Sequence, residues 1–496
     1  MTANLAQLLL SAAELRPDAR FGVAEDPWTL ARAVESSGSA AAALCVGGVE
    51  PGVRVALIGQ NSMSYLLAWM ALHMLGAEVA LINPAYPVEL LQPMLNDLEP
   101  QAIVWSDRMP EPDAAPKVAH LDATELAAGR LGADGGDIIV STMSRIAPGA
   151  ERRPLDIAGY MHTSGTTGAP KFCAQTNRYF LRLGRFIADS LCLSPVDTVL
   201  APMPMFHINP MGYGVIGALT GQADLLTVPR FSASRFWPTA LAVQATVLVL
   251  HAPPVEILKR ATRPEDAAGH QIRAVFYADE EFLTRFNLPV GISCYGSTEA
   301  GGLTHTWTWR RGESPGIAEG ISRYGGRSRS DVTWTVDETG EILVRELVDG
   351  VLFSGYRRGA ILDDSLDDEG WFHTGDLGRI DDLGNLIFIE RRSESIRVKG
   401  EFVPIAFLEQ HFAAIEAIHE AAVWRRESAL LDHELLLFVV GDRLPLDDIR
   451  RVAQRLPSFM RPAAVIRIPS MPRDEGVGKL RRRDLMNVVA LEEAAL

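Results

Sequence analysis

Residues 161–172 read MHTSGTTGAPKF, a loop composition that narrows the choice of fold more than any other part of the chain. Hydroxyl side chains donate hydrogen bonds, glycines let backbone N–H groups converge, and a lysine adds a mobile positive charge. The stretch therefore predicts a loop that binds a polyphosphate or a departing pyrophosphate, with an ordinary turn between strands as the alternative. The residues that would form this site are Thr163, Ser164, Gly165, Thr166, Thr167, Gly168 and Lys171.

The loop differs from the common Walker loop, in which four residues separate the glycines and Gly-Lys-Ser/Thr follows. Here Gly165 and Gly168 are closer together, Pro170 precedes the lysine and Phe172 follows it. The hydroxyl that binds magnesium in a Walker loop is therefore missing. The sequence argues against a kinase or ATPase of that type, and any magnesium ion must be bound by another segment.

Whole-chain composition limits the remaining classes of protein. The chain has 496 residues, of which 47% are hydrophobic and 22% charged. This is ordinary globular composition, and the length predicts about two to four domains. A formal net charge of −15 argues against nucleic-acid binding, because nonspecific affinity for DNA or RNA depends on lysine and arginine.

The cysteines and the apolar segments predict a cytoplasmic protein without a membrane span. Cys45, Cys173, Cys192 and Cys294 show no C-x-x-C spacing, which favours a reducing compartment over a zinc site or a disulfide framework. The first twenty residues lack the basic leading region of a signal peptide. The longest apolar run, residues 65–82, contains His73, Gly76 and Glu78, which favours a buried helix followed by a strand.

Short apolar strands alternate with helical patterns along most of the chain. Residues 53–59 (VRVALIG) predict a strand, residues 61–76 predict a helix capped by Asn61 or Ser62, and EVALI predicts the next strand. This alternation is typical of α/β proteins, whose sheets are covered by helices on both faces. The pattern changes near residues 390–394, which predicts an N-terminal domain of residues 1–392 and a small α+β domain of residues 393–496.

Three further segments carry candidate functional groups. In CYGSTEAGG (residues 294–302), Tyr295 is suited to stacking on a base, Thr298 to binding an α-phosphate and Glu299 to binding magnesium. In WFHTGDLG, the carboxylate of Asp376 is suited to accepting hydrogen bonds from both hydroxyls of a ribose, with Arg391 in reach of the same sugar. Near the C-terminus, Lys479 lies on a glycine-flanked loop that could bring a cation to a distant site.

Taken together, TSGTTGAPK, YGSTEA, HTGDLG and GKLRRRDL resemble the motifs of the acyl-adenylate-forming superfamily, in the same order and over residues 53–485. This superfamily includes acyl- and aryl-CoA synthetases, peptide-synthetase adenylation domains and luciferases. The resemblance implies a large N-terminal domain of helix-covered sheets with a smaller β subdomain, and a small, mobile C-terminal domain. It also implies that an acid attacks the α-phosphate of ATP, so that the loop holds the leaving pyrophosphate.

The resemblance assigns roles position by position. It implies that residues 163–171 bind pyrophosphate, Tyr295 contacts adenine, and Asp376 and Arg391 bind the ribose. It further implies that Thr298 serves the α-phosphate, Glu299 holds Mg²⁺, and His207 lies beside the acyl carboxylate. Lys479 matches the lysine that stabilises the adenylation transition state. The C-terminal domain would then rotate, withdraw this lysine and insert the hairpin VKGEFV so that the thiol of CoA can attack.

Several positions depart from the superfamily pattern and leave the acid open. Glu390 replaces a glycine, Ser393 occupies the hinge, and VFYADEEF replaces a glycine-rich stretch beside adenine and the acyl pocket. In that segment, Phe276 and Tyr277 would fill space. Asp279 or Glu280 would pair with an amino group on the substrate if either pointed inward, although a solvent-facing loop is favoured. An aromatic or medium-length acyl group is the expected substrate.

Three classes of function are therefore compared. The favoured one is an AMP-forming ligase that makes acyl-AMP and then a thioester with CoA, and the expected ligands are ATP, Mg²⁺, CoA and a small carboxylic acid. The alternative is a stand-alone adenylation enzyme that transfers the acyl group to a carrier protein or an amine, and a non-catalytic binding protein comes third.

A basic cluster would attract CoA phosphates or form a solvated hairpin. It comprises Arg391, Arg392, Arg397 and Lys399. A homodimer is expected only because such dimers are common.

Overall fold

The computed structural model describes most of the chain. The described residues are 2–106, 119–122, 130–133, 136–139, 152–163, 170–313, 323–363, 365–391, 396–398, 401–427, 433–473 and 480–496. Among them, no helix is both long enough and apolar enough to cross a bilayer.

The α-helices of the described residues are α1 (Leu5–Leu15), α2 (Leu30–Val46), α3 (Met63–Met74), α4 (Val88–Leu98), α5 (Asn177–Ser190), α6 (Gly217–Gly221), α7 (Ala233–Ala242), α8 (Ala252–Ala261), α9 (Glu280–Arg285), α10 (Ile405–Ala413) and α11 (Leu446–Arg455). A π-helical segment, Asn209–Ile216, leads directly into α6.

The strands in the first part of the chain are β1 (Arg20–Val23), β2 (Trp28–Thr29), β3 (Arg54–Ile58), β4 (Glu78–Ile82), β5 (Ala102–Trp105), β6 (Ala119–Asp122), β7 (Arg130–Ala133), β8 (Gly136–Ile139), β9 (Ile157–Thr163), β10 (Lys171–Thr176), β11 (Thr198–Leu200), β12 (Asp224–Thr227), β13 (Val247–Val249), β14 (Ala274–Phe276) and β15 (Val290–Tyr295).

The strands that follow are β16 (His305–Arg310), β17 (Tyr324–Ser328), β18 (Val332–Val336), β19 (Glu341–Glu346), β20 (Tyr356–Arg358), β21 (Ile361–Asp363), β22 (Phe372–Ile380), β23 (Leu386–Arg391), β24 (Ile396–Val398), β25 (Glu401–Val403), β26 (Glu420–Glu427), β27 (His433–Val440), β28 (Ala464–Arg467) and β29 (Glu492–Ala495).

Two large sheets form the N-terminal part of the molecule. One has the strand order β21-β20-β10-β9-β4-β3-β5-β6, with a parallel centre from β9 to β6. The other has the order β18-β19-β22-β23-β17-β16-β15-β14-β13-β11-β12-β1-β2 and is parallel from β15 to β1. Strands β18, β19, β22, β23 and β17 at its antiparallel end correspond to the predicted smaller β subdomain.

The segment from β3 to β4 confirms the sequence pattern and resolves the choice of helix cap. Ser62 accepts a hydrogen bond from the backbone N–H of Tyr65 at 3.0 Å and therefore caps α3. The side chain of Asn61 instead donates to the carbonyl of Met203 and accepts from the N–H of Met205. The helix is apolar on all sides and is buried along nearly its whole length, as expected for a helix packed within the protein core.

The C-terminal part is an α+β arrangement of α10 and α11 with the sheet β26-β27-β28-β29, preceded by the hairpin β24–β25. Its buried apolar residues join those of the sheet containing β3 and β4 in one continuous cluster. Tyr86 and Phe459, for example, contact each other edge to face with ring centroids 6.4 Å apart. The predicted fold class is therefore confirmed, while the boundary after residue 392 stays a prediction.

Candidate active site

The phosphate-loop sequence connects two antiparallel strands. Thr163, the last residue of β9, lies opposite Lys171, the first residue of β10. The next helix, α5, begins only after β10, so the loop does not lead into a helix N-terminus as a Walker loop does. Ser164, Gly165, Thr166, Thr167 and Gly168 lie outside the described residues.

Lys171 and Glu299 lie on either side of Tyr356, the first residue of β20. The Lys171 ammonium is 4.8 Å from the centre of the Tyr356 ring, a cation–π distance. The hydroxyl of Tyr356 donates to Oε1 of Glu299 at 3.0 Å. Tyr356 therefore connects the lysine of the predicted phosphate loop with the carboxylate of the predicted magnesium site, although sequence reasoning had not singled it out.

Tyr295 and Asp376, which the motifs placed at adenine and ribose, are hydrogen-bonded to each other. The Tyr295 hydroxyl donates to Oδ2 of Asp376 at 3.0 Å, and both residues are buried. The ring of Phe388 stacks on that of Tyr295 with centroids 5.9 Å apart. Arg391 lies opposite Asp376 in the pairing of β22 and β23, which brings the two predicted ribose residues together at backbone level.

Thr298 lies in a tight turn after β15. Its carbonyl accepts a hydrogen bond from the hydroxyl of Tyr179 on α5 at 2.8 Å. Gly301 and Gly302 follow with φ angles of 71° and 73°, in the left-handed region that favours glycine. A β-carbon on Gly302 would lie 2.7 Å from a methyl group of Leu183. Gly302 therefore lets the turn pack closely against α5, and the hydrogen bond from Tyr179 holds the backbone at Thr298.

A cavity of about 630 Å³ extends from Tyr295 and Asp376 to the C-terminal part of the chain. Its lining residues are Tyr213, His251, Ala252, Pro253, Tyr277, Cys294, Tyr295, Gly296, Leu303, Arg323, Asp376, Phe388, Ile389, Arg397, Arg425, Glu427 and His433. Of the basic cluster anticipated from the sequence, Arg397 reaches this cavity. Arg425 and His433, from β26 and β27, also line it and were missed, since no motif marks them.

The segment VFYADEEF is positioned differently from the sequence expectation. Phe276 is fully buried and packs on Tyr213, with ring centroids 5.0 Å apart, so only Tyr277 lines the cavity. Asp279 caps α9 and forms a 2.8 Å ion pair with Lys259. Glu280 accepts from the backbone N–H of Gly312. Neither carboxylate lines the cavity, so neither is placed to bind an amino group there.

Tyr277 has a φ angle of 62°, an unusual conformation for a bulky residue. Strained backbone of this kind persists where the surrounding structure enforces it, and it is common at functional sites. Lys259 supplies part of that enforcement, because it pairs with Asp279 and Glu281 just beyond Tyr277 at 2.8 and 2.9 Å. The network fixes the chain that follows this wall of the cavity.

His207 belongs to a group of histidines next to the cavity. Its Nε2 lies 3.1 Å from Oε2 of Glu401, the first residue of β25. The His162 ring lies 5.8 Å from the His207 ring, centroid to centroid. Burial lowers the pKa of both His162 and His251 to about 3, and the nearby His207 contributes in the same direction. Both rings are therefore neutral near pH 7.

The predicted catalytic lysine, Lys479, lies outside the described residues. The chain on either side of its loop is joined by a β-bridge between Arg473 and Leu480.

Glu401 was not singled out from the sequence, although the hairpin VKGEFV that contains it was. Its partners lie more than 190 positions away in the chain, so only the folded structure identifies them.

The fold and these motifs define the class of protein. Residues 10–356 match the AMP-binding enzyme family, and the chain belongs to that family. A crotonobetaine/carnitine–CoA ligase of Proteus mirabilis is 27% identical over 452 residues, which cover 86% of this chain and 87% of the relative. A medium/long-chain-fatty-acid–CoA ligase, FadD6 of Mycobacterium tuberculosis, is 28% identical over 77% of this chain and 68% of the relative.

Solved structures show the same fold. The o-succinylbenzoate CoA synthetase of Bacillus subtilis, bound with the product analogue OSB-NCoA, gives a TM-score of 0.81 at 22% identity and covers 97% of this chain and 98% of that one. ATP-bound MatB from Rhodopseudomonas palustris gives a TM-score of 0.67 at 22% identity, with 98% of each chain covered. The family match and the relatives confirm the predicted superfamily and the predicted class of enzyme, an AMP-forming ligase of the acyl-CoA synthetase type.

Proposed function

We propose that this protein activates a carboxylic acid as acyl-AMP, with release of pyrophosphate, and then transfers the acyl group to CoA. The observation that carries the proposal is the Tyr295–Asp376 hydrogen bond at the wall of a cavity that continues between the N- and C-terminal parts of the chain. An aromatic ring and a buried carboxylate side by side suit a base and its ribose. A cavity that continues toward the C-terminal part leaves room for a second substrate.

In this reaction each group of site residues has its own task. The loop of residues 163–171 binds the pyrophosphate, and Tyr295 and Asp376 bind adenosine together with Arg391. Thr298 contacts the α-phosphate, and His207 lies beside the acid. Lys479 stabilises the charge that develops as the carboxylate attacks phosphorus, a role for which a mobile cation is well suited.

Glu299 fits the binding of Mg²⁺. One of its oxygens accepts the hydroxyl of Tyr356, and no hydrogen bond to the other is found within the described part of the chain. Mg²⁺ is usually held by one or two carboxylates together with substrate phosphates and water. When bound, the ion would neutralise charge on the phosphates, while the hydrogen bond from Tyr356 holds the carboxylate in place.

The acid is proposed to be aromatic or of medium chain length. The walls of the cavity beside the nucleotide groups are formed by Tyr213, Tyr277, Cys294 and Leu303. These side chains offer apolar surface with little charge, which favours an uncharged acyl group. Tyr277 would limit the length of the group that fits.

The test is nucleotide product analysis with ATP, Mg²⁺ and pooled alkanoic and benzoic acids, with and without CoA. We expect AMP and pyrophosphate, formed only with an acid and faster with CoA. ADP as the product would contradict adenylation, and stimulation by an acyl-carrier protein instead of CoA would support the alternative acceptor.

The same assay tests the predicted domain rotation through Lys479→Ala. Loss of a group that stabilises charge in the transition state should slow acyl-AMP formation by about 10²-fold or more. Thioester formation from supplied acyl-AMP should continue, because the lysine is withdrawn in that step. Equal loss of both half-reactions would contradict the rotation.

A further inference from the structure

Three adjacent parallel strands end at one wall of the cavity. His251 follows β13, Tyr277 follows β14, and Cys294 lies near the end of β15. The N–H of Leu250 donates to the carbonyl of Phe276 at 3.0 Å, which keeps the ends of β13 and β14 level. His251, Tyr277 and Cys294 all line the cavity. Ligands of open parallel sheets bind beyond the carboxyl ends of the strands, so this wall is suited to contact a substrate.

Most of the surface around these strand ends is apolar or has its polar atoms occupied. The hydroxyl of Tyr213 donates to the carbonyl of Gly302 at 2.7 Å. Burial raises the pKa of Cys294 to about 12, so its thiol stays neutral, and a thiol is only a weak donor. Pro253 and Leu303 add apolar surface. The wall therefore offers few hydrogen bonds to a ligand.

His251 is the exception in this wall. Its Nδ1 is buried without a hydrogen-bond partner, and its ring forms no hydrogen bond to any other residue in the described part of the chain. The residue precedes α8, but its side chain does not cap that helix. Burial lowers the pKa of His251 to about 3, so the ring is neutral and carries one proton. Buried polar groups without a partner are uncommon, and a ligand is one way to satisfy them.

The backbone that carries His251 is fixed on both sides. Asn209, in the π-helical segment, donates through Nδ2 to the carbonyl of Leu250 at 3.2 Å. The carbonyl of His251 itself accepts from the N–H of Val255 in the first turn of α8 at 3.3 Å. The ring is therefore presented to the cavity from a rigid segment, as a residue that determines specificity should be.

The edge of the His251 ring that faces the cavity carries Nε2, because Nδ1 is buried. In protein backbones, buried N–H groups without an acceptor are rarer than carbonyls without a donor. The same preference places the single proton of His251 on Nε2 and leaves Nδ1 as the buried acceptor. His251 therefore offers a donor to the cavity.

We propose that His251 selects the acid, because its Nε2–H donates a hydrogen bond to an uncharged hydroxyl or ether oxygen on the acyl group. The remaining acyl group packs on the apolar surface of the wall. A neutral ring supplies no counter-charge, so a second carboxylate on the acid gains nothing from His251. This proposal rests on the proposed activation of a carboxylic acid and specifies its substituent.

The test uses matched pairs of acids in pyrophosphate exchange. Ortho-, meta- and para-hydroxybenzoic acids are compared with benzoic acid, and ω-hydroxyoctanoic acid with octanoic acid. At least one hydroxy acid should exceed its parent in kcat/KM by about tenfold, since the parent leaves the donor of His251 unpaired. The methoxy analogue should keep much of this advantage because an ether oxygen accepts hydrogen bonds, whereas the amino analogue should lose it.

Three variants separate the hydrogen bond from the shape of the wall. His251→Phe keeps a ring but removes the donor, so the hydroxy acid should fall to the rate of its parent. His251→Gln places an amide N–H near the position of Nε2 and should retain most of the preference. Cys294→Ala opens the same wall and leaves His251 intact. This control should change both members of a pair by the same factor.

Calorimetric binding of the same acids, with AMP present, separates this proposal from the proposed reaction. Hydroxy acids that bind more tightly than their parents to the wild type, but not to His251→Phe, would support the role of His251 even if no pyrophosphate exchange occurred; that result would contradict adenylation alone. Equal use and equal binding of both members of every pair would overturn the proposal. So would an equal loss of both members in His251→Phe, or a preference for terephthalic or suberic acid, which would point to Arg397.

Discussion

Two carboxylates of the proposed site, Asp376 and Glu299, each accept a hydrogen bond from a tyrosine hydroxyl. Tyr295 would contact the nucleotide with its ring, yet its hydroxyl is used to hold Asp376. Glu299 is held in the same way by Tyr356. Pre-formed contacts of this kind reduce the cost of ordering the site when a ligand binds.

Tyr295→Phe should weaken ATP binding. The change removes one donor to the buried carboxylate of Asp376 but keeps the aromatic ring. A hydrogen bond to a charged group contributes about 1.5–3 kcal/mol, so the KM for ATP should rise about tenfold or more. Steady-state kinetics would measure it. Tyr324→Phe is the matched control, because its hydroxyl donates to Asp381 at 2.9 Å and the residue does not line the cavity; a similar rise in that variant would contradict the assignment.

Glu299→Gln should raise the Mg²⁺ concentration needed for half-maximal adenylation. An amide keeps the size of the side chain and the contact with Tyr356, but it lacks the negative charge that a hard cation prefers. A magnesium titration of pyrophosphate exchange would measure the effect. An unchanged magnesium dependence would place the ion on other residues.

At the level of elements, the segment between β14 and α9 is held by a cluster of charges. Lys259 on α8 is almost fully buried and pairs with Glu256, Asp279 and Glu281 at 2.6–2.9 Å. Burial opposes the charge on Lys259, but the hydrogen bonds that its ammonium donates to these three carboxylates raise its pKa on balance, so the lysine stays charged. Helix α8 and the cavity wall at Tyr277 are thereby tied together.

Lys259→Met should destabilise the protein by about 1–2 kcal/mol, because three carboxylates lose their common partner while remaining partly open to water. Urea unfolding would measure the change. Arg260→Met is the control, since Arg260 is more exposed and forms only a long ion pair with Glu256, at 4.0 Å. Equal effects of the two substitutions would show that the buried cluster contributes nothing specific.

For the whole molecule, buried histidines make stability depend on pH. Burial lowers the pKa of His73, His162, His251 and His305 from 6.5 to about 3 in the folded chain. The unfolded chain therefore binds more protons than the folded one between these values. It follows that the free energy of unfolding is unaffected by these groups above pH 6.5 and falls as the pH drops below it.

Each of these histidines should cost roughly 1 kcal/mol of stability per pH unit below about 6.5. Urea unfolding at pH 7.5 and 5.5 would measure the combined loss. His73→Gln removes one such group from α3, away from the cavity, and should make the dependence shallower by about one proton. An equally steep dependence in that variant would mean that His73 does not remain neutral in the folded state.

The sequence by itself determined the class of fold and the family. The spacing of apolar residues along a strand or helix is a local property of the sequence. The order β3, α3, β4 could therefore be predicted directly. The motifs also singled out Tyr295, Thr298, Glu299 and Asp376 as candidate site residues, because each lies in a short segment of characteristic composition.

Only the tertiary structure decided which of these groups meet and what else joins them. Asn61 was as good a cap for α3 as Ser62 until its bonds to the 203–205 segment were known. Tyr277 lines the cavity while its neighbour Phe276 belongs to the core, a distinction that composition does not contain. Glu401 meets His207 across 194 positions of sequence. Contacts at that separation depend on how the sheets and the C-terminal hairpin pack, and no local pattern records them.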